Sequence, residues 1–175
     1  LPVRGVTQLK PDPANPQRAI VSFSGFSGAP NTVSGHVFET VDLGETWRNI
    51  SGDLPNMPVN DVEIDPDLRG TLYAATDVGV FVSRDNGGHW EPLGTGLPNT
   101  VYFAVKLHRK ARILRAATHG RGMWDLALPL GSGSEQGPRI SSLLPASGRK
   151  GQAVTRAVKG EGFRGDSAIR WNGAA

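Results

Sequence analysis

The sequence predicts an all-β fold assembled from a repeated four-stranded unit, and three observations carry that expectation. Of 175 residues, 23 are Gly and 13 are Pro. That density argues against a helical bundle, because the two cost about 1 and about 3 kcal/mol each in a helix interior. Hydrophobic residues make up 38% of the chain and four are Trp, enough for a packed core rather than a disordered polypeptide. The third observation is a period. Shifted by 43 positions, Val37, Phe38, Asp42, Gly44, Trp47, Leu54, Pro55 and Asn56 fall on Val80, Phe81, Asp85, Gly87, Trp90, Leu97, Pro98 and Asn99. Such self-similarity marks a stacked or radial repeat.

The elements follow in chain order. In the first copy, Leu9-Lys10-Pro11-Asp12-Pro13 resembles Ile64-Asp65-Pro66-Asp67 of the second, with an insertion around 25–35. The second copy predicts strands near 59–65, 71–76, 79–84 and 89–93, with turns at Asp65-Pro66-Asp67, Asp77 and Asn86-Gly87-Gly88. Thr71-Leu72-Tyr73-Ala74-Ala75 is apolar at successive positions rather than alternating, which suits a strand covered on both faces. A four-stranded unit of this length, covered by copies of itself, is a β-propeller blade. A β-sandwich does not explain the constant period. The third copy predicts strands near 101–107, 113–118 and 122–128 and lacks a fourth. Residues 1–130 therefore read as about three blades, the last ones of a larger propeller whose other blades are missing here. Closure of such a ring by a strand of the last blade borrowed from the chain's beginning removes an exposed edge. Two open blade faces of roughly 400 Å² each are expected, which leaves the piece marginally stable or prone to associate.

Each of the first two copies carries a hairpin turn of pattern S/T-x-D-x-G-x-x-W. The first has Thr40, Asp42, Gly44 and Trp47; the second has Ser83, Asp85, Gly87 and Trp90. The carboxylate suits backbone N–H groups of the loop, Gly a positive φ, and Trp a buried ring with a hydrogen-bonded N–H. The pattern resembles the Asp-box, or BNR repeat, of sialidases, xyloglucanase-type glycosyl hydrolases and sortilin-like propellers. The segment from Ala117 to Trp124 is similar to the closing segment of bacterial BNR-repeat glycosyl hydrolases. The resemblance implies that Asp42 and Asp85 are structural turn residues at the blade periphery. It also implies an extracellular, secreted or periplasmic protein with a carbohydrate or protein ligand.

Glycoside hydrolysis needs two carboxylates about 5–10 Å apart, or a Tyr nucleophile. Asp61 and Glu63, with Asp65 on the same strand, are the candidates that this stretch offers, and a solvated strand end is the reading set against them. Their third-copy equivalents are Ala104, Lys106 and His108. His119 and Arg121 form a candidate ligand-face turn. The four His lack HxxxH or HxH spacing, and there is no Cys, so neither a metal site nor a cofactor is expected. A net charge of +3 spread along the chain offers no nucleic-acid patch. The densest basic cluster, His108-Arg109-Lys110-Ala111-Arg112, reads as a solvated turn. No apolar run is long enough to span a membrane.

After a flexible linker at 131–137 the pattern changes. Pro138-Arg139-Ile140 to Gly148, the G-x-G-F of Gly160 to Phe163 and Trp171-Asn172-Gly173 resemble the opening of an IPT/TIG domain. The resemblance implies that 138–175 is the N-terminal part of an immunoglobulin-like β-sandwich. The G-x-G-x-x-G at 160–165 precedes no helix and fails as a dinucleotide fingerprint. Arg164-Gly165-Asp166-Ser167 and the sequon Asn49-Ile50-Ser51 read as chance matches. The functional expectation is a structural or binding segment of a secreted propeller protein. The alternative is part of a glycoside hydrolase whose catalytic groups lie mostly in other blades.

Overall fold

The computed structural model describes residues 1–26, 34–129, 139–144 and 157–161. The chain divides into two compact units, Leu1–Gly131 and Ser132–Ala175. In the second, β12 (Arg139–Leu144) and β13 (Ala157–Glu161) pair antiparallel, with Leu143 opposite Val158. The 131–137 linker, and all of the 138–175 segment except those two strands, lie outside the described residues.

The first unit holds three antiparallel sheets in sequence. Blade I comprises β1 (Val6–Asp12), β2 (Asn15–Phe23), β3 (Val37–Thr40) and β4 (Arg48–Asn49), hydrogen-bonded in that order. Blade II repeats it with β5 (Val59–Ile64), β6 (Leu72–Thr76), β7 (Val80–Ser83) and β8 (Glu91–Pro92). Blade III has β9 (Tyr102–His108), β10 (Ile113–Thr118) and β11 (Met123–Ala127). The two-residue outer strands are short because the Gly-rich turns before them, with positive φ at Leu43-Gly44 and Asn86-Gly87, consume most of each fourth segment.

All five residues of β6 and all four of β7 are buried, because blade II is covered on both faces. Val62, Leu72 and Ala74 pack toward Ile20 and Val37 of blade I. On the other face Tyr73, Ala75, Val80 and Val82 pack toward Tyr102, Val105, Leu114 and Ala116 of blade III. Each large apolar side chain so enclosed contributes about 1.5–3 kcal/mol. The first strands of the blades lie side by side and are cross-tied. Thr7 Oγ1 donates to the Val59 carbonyl at 2.6 Å, and Asn60 Nδ2 donates to the Tyr102 carbonyl at 3.0 Å.

The two open faces differ. Blade I exposes Val6 and Leu9 beside its Phe23–Phe38 pair, the apolar surface that the sequence leads one to expect. On blade III the cross-strand row Glu63–Tyr73–Val82 of blade II becomes Lys106–Arg115–Asp125. Arg115 and Asp125 form a bidentate pair at 2.7 Å. Tyr73 and Val82, buried in blade II, thus give way to the exposed charges Arg115 and Asp125 in blade III. Of the two open faces expected, the one on blade III is charged at this row.

Candidate functional site

Antiparallel pairing sorts the connections to two ends. The turns after the first and third strand of each blade share one end. The turns after the second strand, and the links between blades, share the other. Asp42 and Asp85 lie at the first end, His119 and Arg121 at the second.

At the first end the two turns of the S/T-x-D-x-G-x-x-W pattern are superimposable in their bonding. Thr40 Oγ1 donates to Asp42 at 2.7 Å and accepts from Gly44 N at 2.8 Å; Thr46 N donates to Asp42 at 2.9 Å. In the second turn Ser83 Oγ donates to Asp85 at 2.8 Å and accepts from Gly87 N at 2.8 Å; His89 N donates to Asp85 at 2.9 Å. Hydrogen bonds from Thr46, then from Thr40, hold Asp42 down to a pKa of about 2. Both carboxylates are committed to their own loops. Nearby lies a cavity of about 670 Å³ between blades I and II, where Arg18 bridges Asp12 and Glu39 at 2.7 Å each. Burial pushes the Glu39 carboxyl up, but hydrogen bonds from Arg48, Arg18 and Asn86 outweigh it and hold the group below its usual range.

The acidic candidates do not sit at a solvated strand end. Asp61 and Asp65 are each 2% exposed, because β5 is held between β1 and β9 where alternate side chains have no route to water. Asp61 accepts from Gln8 Nε2 at 2.9 Å, Val62 N at 2.8 Å and Val105 N at 3.0 Å, so one carboxylate ties three blades. Glu63 receives Lys10 at 2.9 Å and Lys106 at 3.2 Å from opposite sides. Asp65 is gripped by Arg112 at 2.8 and 3.1 Å and by the Tyr73 hydroxyl at 2.9 Å. Burial first, then the Asp65 charge, pushes the Tyr73 phenol up. The basic cluster is corrected with them: His108 to Ala111 are exposed, but Arg112 is buried.

The second end carries the turn of His119 and Arg121. His119 N donates to the Val101 carbonyl at 2.8 Å, and Thr100 Oγ1 donates to the His119 carbonyl at 3.2 Å. Arg121 N donates to Thr118 Oγ1 at 3.2 Å, and Trp124 Nε1 to the Arg121 carbonyl at 3.0 Å. This network fixes the turn and leaves the His119 and Arg121 side chains exposed. The His119 ring lies 5.3 Å from Phe103, tilted by 45°, and Phe103 is 53% exposed. Phe103 was missed. The repeat contains its signal: a shift of 43 places it on Asn60, and a shift of 42 places His119 on Asp77. In blade II those two are hydrogen-bonded at 2.9 Å. A polar pair in blade II is thus replaced by an exposed aromatic–imidazole pair in blade III. Such a pair offers a flat apolar surface beside hydrogen-bonding groups.

The remaining His near this end is buried. His36 Nδ1 accepts from Arg4 at 3.2 Å, so the ring proton sits on Nε2 and is donated to Asn56 at 3.0 Å. Burial, then the Arg4 charge, pushes its pKa down, against the opposing Asn56 bond. Among the described residues no group of three His, Cys, Asp or Glu could hold a metal ion. Nor is any helix among them long and apolar enough to cross a membrane.

No family model matches the sequence. A xyloglucanase of Paenibacillus sp is 26% identical over 104 residues, 54% of this chain and 10% of that protein. An oligoxyloglucan-reducing end-specific xyloglucanase of Emericella nidulans is 40% identical over 57 residues, 29% of this chain and 7% of that one. A xyloglucanase of Hypocrea jecorina is 40% identical over 47 residues, 27% of this chain and 6% of that one. The chain therefore spans a tenth or less of the curated relatives it matches. Among solved structures, an ancestral GH74 enzyme matches with a TM-score of 0.52 and 19% identity, over 66% of this chain and 16% of its own. The GH74 xyloglucanase from Xanthomonas campestris matches with a TM-score of 0.52 and 16% identity, over 79% and 25%. These structures show the fold: the chain is part of a β-propeller.

Proposed function

We propose that residues 1–130 are three blades of a propeller glycoside hydrolase that acts on xyloglucan. The observation that carries this reading is that the curated relatives matched by these repeats are xyloglucanases. It favours the hydrolase over a propeller that only binds. Within the chain, Phe103, His119 and Arg121 contact the glycan, the ring stacking on sugar C–H faces and the turn donating hydrogen bonds. Asp61 and Glu63 are blade ties rather than acid and base, since three partners on Asp61 and two cations on Glu63 leave neither free to exchange a proton with substrate. The acid–base pair belongs to other blades.

The same reading treats the S/T-x-D-x-G-x-x-W turns as Asp-box turns of structural purpose. It takes 138–175 as the start of an IPT/TIG-like domain, on the sequence pattern, and the whole protein as extracellular. The test is a titration of the chain with xyloglucan oligosaccharides followed by amide NMR. Shifts centred on Phe103 and 119–122, and lost in Phe103→Ala, are expected. Shifts confined to the Asp42 and Asp85 turns, or none at millimolar sugar, would overturn the assignment.

A further inference from the structure

The residues that lead into β1 cross the second end of blade I and set a cation against a buried imidazole. Arg4 Nη1 donates to His36 Nδ1 at 3.2 Å and reaches the Ser24 carbonyl at 3.5 Å, and Nη2 donates to the Gly35 carbonyl. At the next residue the sheet takes over. The Gly5 carbonyl accepts from Ser24 N at 2.9 Å, and strand pairing begins at Val6 opposite Phe23. Arg4 therefore ties down a stretch that lies just outside the ladder.

His36 is fastened to the blade itself. It is 2% exposed, its backbone N–H goes to Ser51 Oγ at 2.7 Å, and its carbonyl accepts from Phe23 N at 2.9 Å. An arginine carries donors only, so Nδ1 has to stay unprotonated while Arg4 is docked. The bond from Nε2–H to Asn56 survives protonation of the ring; the bond from Arg4 does not. An imidazolium would set donor against donor and cation against cation at that 3.2 Å.

No carboxylate among the described residues offsets this repulsion. In the link that follows blade I, Asp53 is turned to Trp90 N and His89. On β2 to β4, Arg18, Glu39 and Arg48 bind one another, and on β1 Lys10 goes to Glu63 and Asp12 to Arg18. Residues 27–33 carry no acidic or basic side chain. Arg4 is the member that can leave. Its Nε is buried without a hydrogen-bond partner, a deficit that water removes on release, whereas moving His36 would break bonds within the blade. Burial first, and then the Arg4 charge, hold the docked ring below its ordinary 6.5. A ring freed of Arg4 titrates nearer that value, so docking weakens as pH falls below 6.5, by up to about tenfold per pH unit.

We propose that Arg4 and His36 form an acid-released latch: a proton taken up at His36 Nδ1 expels the Arg4 side chain, and residues 1–4 swing away from blade I about Gly5 while the sheet stays intact. The latch closes over the end that also carries the His119 turn, and opening it exposes the imidazole and the Ser24 and Gly35 carbonyls there. This inference does not depend on the carbohydrate reading.

The test is a titration of the full 175-residue chain from about pH 8 to about pH 4, read by NMR on the His36 ring nitrogens and on backbone amides. The ring and the amides of Val3, Arg4, Ser24 and Gly35 are expected to share one midpoint below 6.5, while the amides of β6 keep their protection from exchange. His36→Gln, whose side-chain oxygen accepts from Arg4 at any pH, should hold those four amides still across the range. Arg4→Met, which keeps the stem and drops the charge, should raise the ring midpoint toward 6.5. A ring that stays neutral to the end of the range, or one that titrates while Val3 and Arg4 do not move, would overturn the proposal. So would the same amide titration in His36→Gln, an unchanged ring midpoint in Arg4→Met, or loss of β6 protection at the parent's midpoint, which is unfolding rather than release. Should a variant fail to fold, the shared midpoint of the parent decides by itself.

Discussion

Arg112→Met isolates the strongest single tie between blades II and III. The Asp65 side chain is fully buried, and the Arg112 side chain is 7% exposed. The substitution keeps the aliphatic stem and removes both charged hydrogen bonds. Asp65 would retain the Tyr73 hydroxyl and the N–H groups of Asp67 and Leu68, at 3.0 and 3.2 Å, but no cation in bidentate contact. Breaking a buried pair from one side costs about 3–5 kcal/mol, a large share of the 5–15 kcal/mol typical of a domain. With a urea m-value of about 2 kcal/mol/M, the midpoint should fall by about 2 M. The assay is equilibrium urea unfolding followed by tryptophan fluorescence. Arg115→Met is the control, because Arg115 pairs with Asp125 in the same bidentate geometry but in solvent, where screening leaves little. Equal midpoints for the two variants would refute the claim that burial, not geometry, sets the strength of these ties.

Phe103→Ala should lower affinity for xyloglucan oligosaccharides by about tenfold, as loss of a stacked ring implies, without moving the urea midpoint; calorimetric titration checks the first and urea unfolding the second. Gly87→Ala should cost about 2–4 kcal/mol by denaturant unfolding, since Gly87 has φ 88° and a Cβ there would fall on the Ile50 carbonyl oxygen. His36 has a lowered folded-state pKa, so the unfolded chain takes up the proton first and stability should decline as pH falls from 6.5. That slope should vanish in His36→Gln. Asp42 is likewise lowered, from 3.8 to about 2; its contribution is complete above 3.8 and is lost as pH falls toward 2. Thermal melts of Asp42→Asn across that window should show a shallower pH dependence than the parent.

The repeat made much of the fold legible. Successive apolar residues at 71–75 imply two covered faces, and β6 and β7 are buried throughout. The turns were legible because their bonds are local: Asp42 and Asp85 reach no further than four residues. What stayed hidden was long-range. Asp61 and Asp65 look like solvated strand acids until blades I and III close over β5, and Arg112 looks like one more surface cation until it reaches Asp65 across 47 residues. Phe103 reads as core in a strand of apolar residues. Its exposure beside the His119 ring is visible only once the turn after β10 is placed. The charged face of blade III was written in the sequence as Arg115 and Asp125 against Tyr73 and Val82. Identities between copies drew attention there, whereas the differences carried the information.

The most direct measurement is reducing-end release from xyloglucan by the polypeptide that carries these blades, compared with unsubstituted β-glucan and sialoside substrates. Cleavage of xyloglucan, reduced at low substrate in Phe103→Ala but retained in Asp61→Asn preparations that remain folded, is the expected result. Folded protein that leaves xyloglucan intact, or xyloglucan cleavage abolished by Asp61→Asn with the fold unchanged, would contradict it.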